Sequence, residues 1–241
     1  MNFRFVYRAL KARYRDQKTE VAAALAALKP GDTAVDAGAN KGAYLYWLRK
    51  AVGESGNVFG FEPQPSLAGY LKSIVSEMGW RNVHVQDCAL SDSAGSATLH
   101  VPGDKDSPGA SLEQAEVEGG SSHTHQCRVD TLDRVLQNTT RVALLKVDVE
   151  GHELQVFRGA QQTITKHRPV VIFECEQRHL RKNTMQDVFN FLGGLGYSGE
   201  FFAPDGLRPL NEFDPAIHQK QIGERFWDAP DYCNNFLFRP G

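Results

Sequence analysis

After an opening helical segment, the chain alternates between short apolar runs of strand length and longer stretches with helical spacing. Residues 3–28 set Phe3, Val6, Leu10, Val21, Leu25 and Leu28 at roughly helical intervals, and Pro30-Gly31 ends the pattern. TAVDAG then reads as a strand and turn, AYLYWLRKAV as a helix, NVFGFE as a strand, SLAGYLKSIVSEMG as a helix and NVHVQDCAL as a third strand. Such alternation predicts an α/β fold with a mostly parallel central sheet and helices on both faces. Ligands of such sheets gather at the carboxyl ends of the strands.

Residues 91–130 break the regularity. SDSAGSATLHV reads as a short hairpin arm, and the polar insert at 102–126, rich in glycine, serine and charge, reads as a mobile loop. Beyond it, CRVDTLDRVL predicts a strand running into a short helix, VALLKVDVEG a buried strand and ELQVFRGAQQTITKH a helix. PVVIFEC is a further apolar strand, MQDVFNFLGGLG a helix and NNFLFRP a closing stretch. No internal repeat or linker divides the pattern. The expectation is one domain over 1–241, with a helical N-terminal segment at 1–30 and the hairpin and loop insert at 91–130.

Composition narrows the function classes. A chain of 241 residues, 41% hydrophobic, can bury one sizeable core. Its 27 basic and 29 acidic residues intermix to a net charge of −2, which predicts no nucleic-acid partner. Cys88, Cys127, Cys175 and Cys233 are widely spaced and form no CxxC pair, so neither a disulfide framework nor a zinc site is expected. The charged N-terminus lacks a signal-peptide core and no run reaches spanning length, so the sequence predicts a cytoplasmic protein without a transmembrane segment. Arg4, Arg8, Lys11, Arg13 and Arg15 read as a solvated helix face rather than a site for an acidic partner or headgroups.

The stretch AVDAGANKGAY carries the first candidate chemistry. A dinucleotide loop needs GxGxxG, whose middle glycine lets the backbone approach a pyrophosphate, and that glycine is missing between Gly38 and Gly42. No GK[ST] follows at phosphate-loop spacing either. A cofactor with an adenosine end but no phosphate asks instead for backbone room and two carboxylates, and S-adenosylmethionine is such a molecule. Asp36 then faces the methionine ammonium, and Glu62, 24 positions after Gly38, accepts the ribose hydroxyls, near the offset of about 20 known for ribose-binding acids. In the third strand Asp87 is the candidate for the adenine amine, with Cys88, Ala89 or Leu90 as alternative contacts to the base. Competing readings make Asp36 a helix cap and Glu62 a turn residue before Pro63, or give the fold to a nicotinamide-dependent oxidoreductase.

A second constellation lies in LLKVDVEGHELQVFRGA, where Asp148, Glu150, His152 and Glu153 crowd the end of an apolar strand, and Glu174 ends the next one. Crowded carboxylates raise one another's pKa and mark sites more often than scaffolds. Glu153 reads as a first-turn helix residue. For a general base, His152 is the first candidate, with Glu174 and Asp148 as rivals. Asp148, Glu150 and Glu174 also form a candidate Mg2+ site, although the metal-free reading is preferred.

Taken in order, VDAGANKGAY, GFEP, ALSD, the TLD of CRVDTLDRVL, and LLKVDVEGHELQVFRGA resemble the FkbM family of S-adenosylmethionine-dependent methyltransferases, with NNFLFRP similar to the family's closing strand. The resemblance implies a Rossmann-like class I methyltransferase fold and O-methylation of a sugar, glycan or polyketide-type natural product. It matches Asp36, Gly38, Asn40 and Gly42 to the cofactor loop, Glu62 to the ribose-binding acid, and Asp148 with Glu150 to the second signature. The 102–126 insert departs from the shortest family members, and acceptor identity does not carry across it. A non-catalytic subunit that keeps the fold for partner binding is the remaining alternative. Asp104, Asp106, His123 and His125 of the insert, and the aromatics Phe201, Phe202, Phe226, Trp227 and Tyr232, are candidate acceptor contacts or plain structure.

Overall fold

The computed structural model describes residues 2–113 and 121–241. Helices α1 (Phe3–Lys11) and α2 (Lys18–Ala26) are joined by a π-helical turn at Ala12–Asp16. Then follow β1 (Thr33–Ala37), α3 (Ala43–Val52), β2 (Asn57–Phe61), α4 (Pro65–Glu77) and β3 (Val83–Gln86). Strands β4 (Ala89–Leu90), β5 (Gly95–Pro102) and β6 (Ser122–Asp130) form the excursion. The chain returns through α5 (Leu132–Val135), β7 (Leu144–Val147), α6 (Glu153–Arg158), α7 (Gln161–His167), β8 (Val170–Glu174) and α8 (Met185–Gly194). It closes with β9 (Tyr197–Ala203), β10 (Gly206–Pro209), α9 (Pro215–His218) and β11 (Asn235–Pro240).

Eight strands make the central sheet in the order β10-β9-β11-β8-β7-β1-β2-β3. The run from β3 to β8 is parallel, and β11, β9 and β10 add antiparallel at one edge. Side chains along a strand alternate between faces, and here both faces are apolar because both are covered. Val35, Ala37, Leu145, Val147, Val171 and Phe173 point into the core under α6, α7 and α8, while Ala34, Leu144 and Ile172 point the other way against Val21 of α2 and Leu45 and Leu48 of α3. Phe173 anchors the first face, 5.2 Å from Phe157 and 5.5 Å from Phe236 between ring centres. Its removal to Ala costs about 3–5 kcal/mol by the usual cavity rule.

Four expectations are corrected by packing. The single helix over 3–28 is two; Val21 is buried as expected, but the other buried residues are Phe5, Ala9, Ala12 and Ala24, whereas Phe3 and Leu10 are exposed. The helix expected after VDVEG breaks at Gly159, where an added Cβ would lie 1.9 Å from the Ser91 carbonyl oxygen. The third predicted strand divides, since β4 leaves the central sheet to pair with β6 in a three-stranded sheet. Within the insert, β6 starts at Ser122 and pairs with β5 from Pro102 to Gly95, so the polar segment is partly sheet; residues 114–120 of the insert lie outside the described residues. The β9–β10 hairpin was not anticipated, and it buries Phe201 and Phe202, which are core rather than a platform for an acceptor.

Candidate functional site

The loop after β1 is fixed by backbone. Gly38 has φ +80°, and a Cβ there would stand 1.8 Å from the Asp148 carbonyl oxygen, so only glycine lets the two strand ends meet. The Gly38 and Ala39 amides both donate to the Phe61 carbonyl, at 3.0 and 2.9 Å. Asn40, at φ +47°, donates its amide to Glu62 Oε2 at 2.8 Å. Gly42, at φ +76°, opens α3 where a Cβ would crowd Leu71 and Phe5. Glu62 is buried, and its other oxygen, Oε1, accepts from the Gln64 amide at 2.9 Å and from Gln64 Nε2 at 3.3 Å. Burial raises its pKa against the lowering effect of these donors.

Asp36 is placed differently from its expected position. It lies inside β1 in register with Gly60 and Lys146, buried, and its carboxylate turns to Lys146 Nζ at 3.2 Å instead of lining the cavity. Burial raises the Asp36 pKa despite that neighbour. Lys146 also approaches Asp148 Oδ2 at 3.3 Å and packs over the Tyr44 ring. Burial disfavours its charge, but Asp36 and Asp148 overcome that and hold its pKa above the ordinary lysine value. Lys146 was missed in the sequence, although a lysine between apolar neighbours in LLKVD is itself the signal of a buried charge needing partners.

Across the cavity, Asp148, Glu150 and Glu174 each offer an oxygen within 4.8 Å of the others, a geometry that would admit a hard cation. Glu150 sits at φ +55°, and Gly151 passes so close to the next loop that a Cβ would be 2.4 Å from the His179 carbonyl oxygen. Glu150 pairs with His179 Nδ1 at 2.8 Å, and burial raises its pKa. Burial, then the charges of Asp148, Glu150 and Glu176, push Glu174 well above the carboxylate range. Glu176 goes the other way: its burial is outweighed by Arg178, Tyr232 and other partners, and its pKa falls to about 2. Tyr232 Oη donates to it at 2.6 Å and Asn234 Nδ2 at 3.0 Å, while Arg178 lies over the Phe226 and Trp227 rings.

His152 reaches the same cavity but both ring nitrogens are engaged, Nε2 with Ser91 Oγ and Nδ1 with Glu113 Oε1, each at 2.9 Å. The insert is thereby fastened over the site. Ser107 and Gln64 exchange two hydrogen bonds of 2.9 and 3.0 Å, and Ser111 Oγ donates to the Glu150 carbonyl at 2.6 Å. Leu99, Pro108, Ala110 and Leu112 form an apolar roof. Asp106 instead takes the Ser66 hydroxyl, and His123 holds the Gly103 carbonyl at 2.8 Å. Asp87 is exposed and paired with Lys72 at 3.1 Å, away from the cavity, whereas its neighbours Cys88, Ala89 and Leu90 line it. Glu153 is buried in the first turn of α6 and accepts the Gly151 amide at 3.0 Å.

One cavity thus gathers Gly38, Asn40, Glu62 and the Cys88–Leu90 segment on one side and Asp148, Glu150, His152 and Glu174 on the other. Among the described residues no helix is long and apolar enough to cross a membrane. Similar proteins share the architecture. The chain is 30% identical over 143 residues to "Methyltransferase 1" of Beauveria bassiana, covering 52% of this chain and 57% of that protein. It therefore spans little more than half the length of that relative. The crystal structure of methyltransferase FkbM from Methylobacillus flagellatus superposes with a TM-score of 0.55 at 15% identity, over 97% of this chain and 53% of the other. A candidate rRNA methylase from Clostridium thermocellum gives 0.53 at 11% identity, over 93% and 96% of the two chains. A candidate methyltransferase from Streptococcus mutans, solved in complex with SAH, gives 0.52 at 10% identity, over 93% and 97%. At such identities these structures bear on the fold, a Rossmann-like class I methyltransferase fold, and not on an acceptor. The methyltransferase FkbM domain profile matches residues 36–198, from the acid of β1 to the start of β9, and the chain belongs to that family.

Proposed function

We propose that the protein transfers a methyl group from S-adenosylmethionine to an acceptor hydroxyl. The observation that carries this reading is the single cavity in which a glycine-built loop and a buried strand-end acid face a second set of carboxylates under an apolar roof. Glu62 takes the ribose hydroxyls with the lone pairs that Asn40 and Gln64 leave free. Cys88, Ala89 and Leu90 form the adenine slot. The methionine ammonium falls to Asp148, which is partly exposed in the cavity, and Asp36 acts on it only through Lys146. An acidic residue there is matched to a cationic cofactor, and the roof excludes competing water.

In the transfer, the acceptor oxygen forms a bond to the methyl carbon as the carbon–sulfur bond breaks, its electron pair neutralising the sulfonium to give S-adenosylhomocysteine. The hydroxyl proton passes to a base. Holding the three atoms in line accounts for most of the acceleration. Glu174 is the candidate base left free, because both nitrogens of His152 are occupied in tethering Glu113 and Ser91; the positive charges of the bound cofactor would offset the neighbouring acids that push its pKa up and let it stand ionised. Replacing Glu174 by Gln should lower kcat by about 100-fold with cofactor affinity within a factor of three; equal turnover in the two proteins, measured by S-adenosylhomocysteine release, would remove it as the base. The second reading rests on the 4.8 Å grouping of Asp148, Glu150 and Glu174, which suits Mg2+. Such an ion would lower the pKa of a bound hydroxyl. Loss of turnover in EDTA with recovery on added Mg2+ would favour it over the metal-free reaction. A sugar, glycan or polyketide-type hydroxyl remains the expected acceptor class, and isothermal titration with S-adenosylmethionine and NAD side by side separates this reading from a nicotinamide enzyme.

A further inference from the structure

The opening helix has two apolar faces, and only one is used by the fold. Phe5, Ala9 and Ala12 turn inward: Phe5 meets Trp80 edge-on at 5.9 Å, and the Ala9 carbonyl accepts from Trp47 Nε1 at 2.7 Å. The outward face carries Phe3, Tyr7 and Leu10, exposed by 77, 65 and 41%, and ends at Tyr14, 67% exposed with one ring edge against Trp47 at 6.1 Å. Their spacing of four, three and four residues places them in one stripe along the helix and its π-helical extension. Arg4, Lys11 and Arg15 fall on the strip immediately beside them, and Arg8, stacked on Tyr70 at 5.7 Å, borders the buried face. Single exposed apolar residues are ordinary, but four aligned ones flanked by cations are not.

Charge selects the occupant. Residues 2–18 carry six basic side chains and one acidic, a net of +5 in a chain whose formal charge is −2, so the remainder carries −7. The one acid, Asp16, is shared between Lys11 at 3.1 Å and Arg15 at 2.7 Å. A second copy of the same stripe would bring like charges together. A nucleic acid would use the cations and leave Phe3 and Leu10 in water. An anionic bilayer satisfies both strips at once, apolar side chains entering the acyl boundary and guanidinium groups meeting phosphates.

We propose that the outward face of residues 3–15 is a peripheral docking surface for a phospholipid bilayer of net negative charge. The assignment is independent of methyl transfer. Phe5 on the inward face lies against Gly42, so the docked helix is fastened directly to the start of α3 beside the cofactor loop.

Flotation of the full chain with phosphatidylcholine vesicles, with and without phosphatidylglycerol, tests it. Binding is expected only with the anionic lipid and should weaken as salt is raised. Arg4→Glu with Arg15→Glu should reduce binding by roughly five-fold or more per basic residue removed. Phe3→Ser with Tyr7→Ser and Leu10→Ser should abolish it while leaving the far-ultraviolet circular dichroism and cofactor titration unchanged. If that triple variant misfolds, the arginine pair decides the matter alone. No binding to anionic vesicles, equal binding of the arginine variant, or retention on RNA or as a dimer without vesicle binding would each overturn the proposal.

Discussion

The two walls of the cavity handle negative charge in opposite ways. On the loop side, Glu62 accepts from the Asn40 and Gln64 amides and Asp36 faces Lys146 at 3.2 Å, so each acid has a fixed partner before any ligand arrives. On the far side, Asp148, Glu150 and Glu174 face one another, with His179 on Glu150 and Lys146 on Asp148 as partial relief. The contrast teaches that burial alone does not define a reactive carboxylate. What distinguishes the second wall is that its acids lack enough donors to remain charged together, so a proton, an ammonium or a cation must complete it.

Removing the link between the walls should have the largest effect. Lys146→Met leaves Asp36 buried without its partner and is expected to cost about 3–5 kcal/mol. Adding Asp36→Asn should recover much of that in thermal unfolding; if the double variant is no more stable than the single one, the pair is not the link. Gly38→Ala comes next, at about 3 kcal/mol from overpacking and a strained φ, read as a Tm lower by roughly 6–12 °C. An unshifted Tm would mean the Asp148 carbonyl can move aside, and the walls are less rigidly joined than the geometry indicates.

Glu62→Ala tests the loop-side wall by itself. With the ribose acceptor and the loop clasp both lost, the dissociation constant for S-adenosylmethionine should rise by about 30- to 100-fold, whereas Glu62→Gln, which keeps one acceptor oxygen, should lose about ten-fold. Equal losses would assign the effect to charge rather than to the hydrogen bonds. The effect confined to one pH range belongs to Glu153, whose pKa burial raises from 4.5 to about 7. A carboxyl raised on folding stabilises the native state fully below its unfolded pKa, and that contribution is lost as pH climbs through 7. Glu153→Gln should therefore be the more stable protein at pH 8, by up to about 3 kcal/mol, and the gap should close near pH 4. A constant gap across that range would show that Glu153 is not titrating.

How much of this was legible in the sequence varies by cause. The parallel strands were readable because each is a short, mainly apolar run bounded by turn residues, and α3 fell where AYLYWLRKAV predicts it. Gly38 and Glu62 were readable as a turn and a strand-end acid, but the Asp36–Lys146 pair was not, because residues 110 positions apart meet only through the β1–β7 register. The helix over 3–28 was misread for a related reason: Phe3 and Leu10 fit the period as well as Phe5 and Ala9, and periodicity does not say which of two apolar stripes faces the core. Asp87 and Cys88 differ by one residue, yet one faces solvent and the other the cavity, since the chain leaves β3 between them for β4. The β9–β10 hairpin lacked alternation strong enough to separate it from loop.

Gly38 also sets a limit on how the protein can be altered. Because it touches the Asp148 main chain, the glycine loop after β1 and the turn that presents the acidic cluster form one solid block, and neither can be redrawn without the other. The insert meets that block differently, through hydrogen bonds at Ser107, Ser111 and Glu113, while its own strand β6 is held by β5. That cover is therefore the part most cheaply exchanged, since a new loop can be fitted to the same unaltered base.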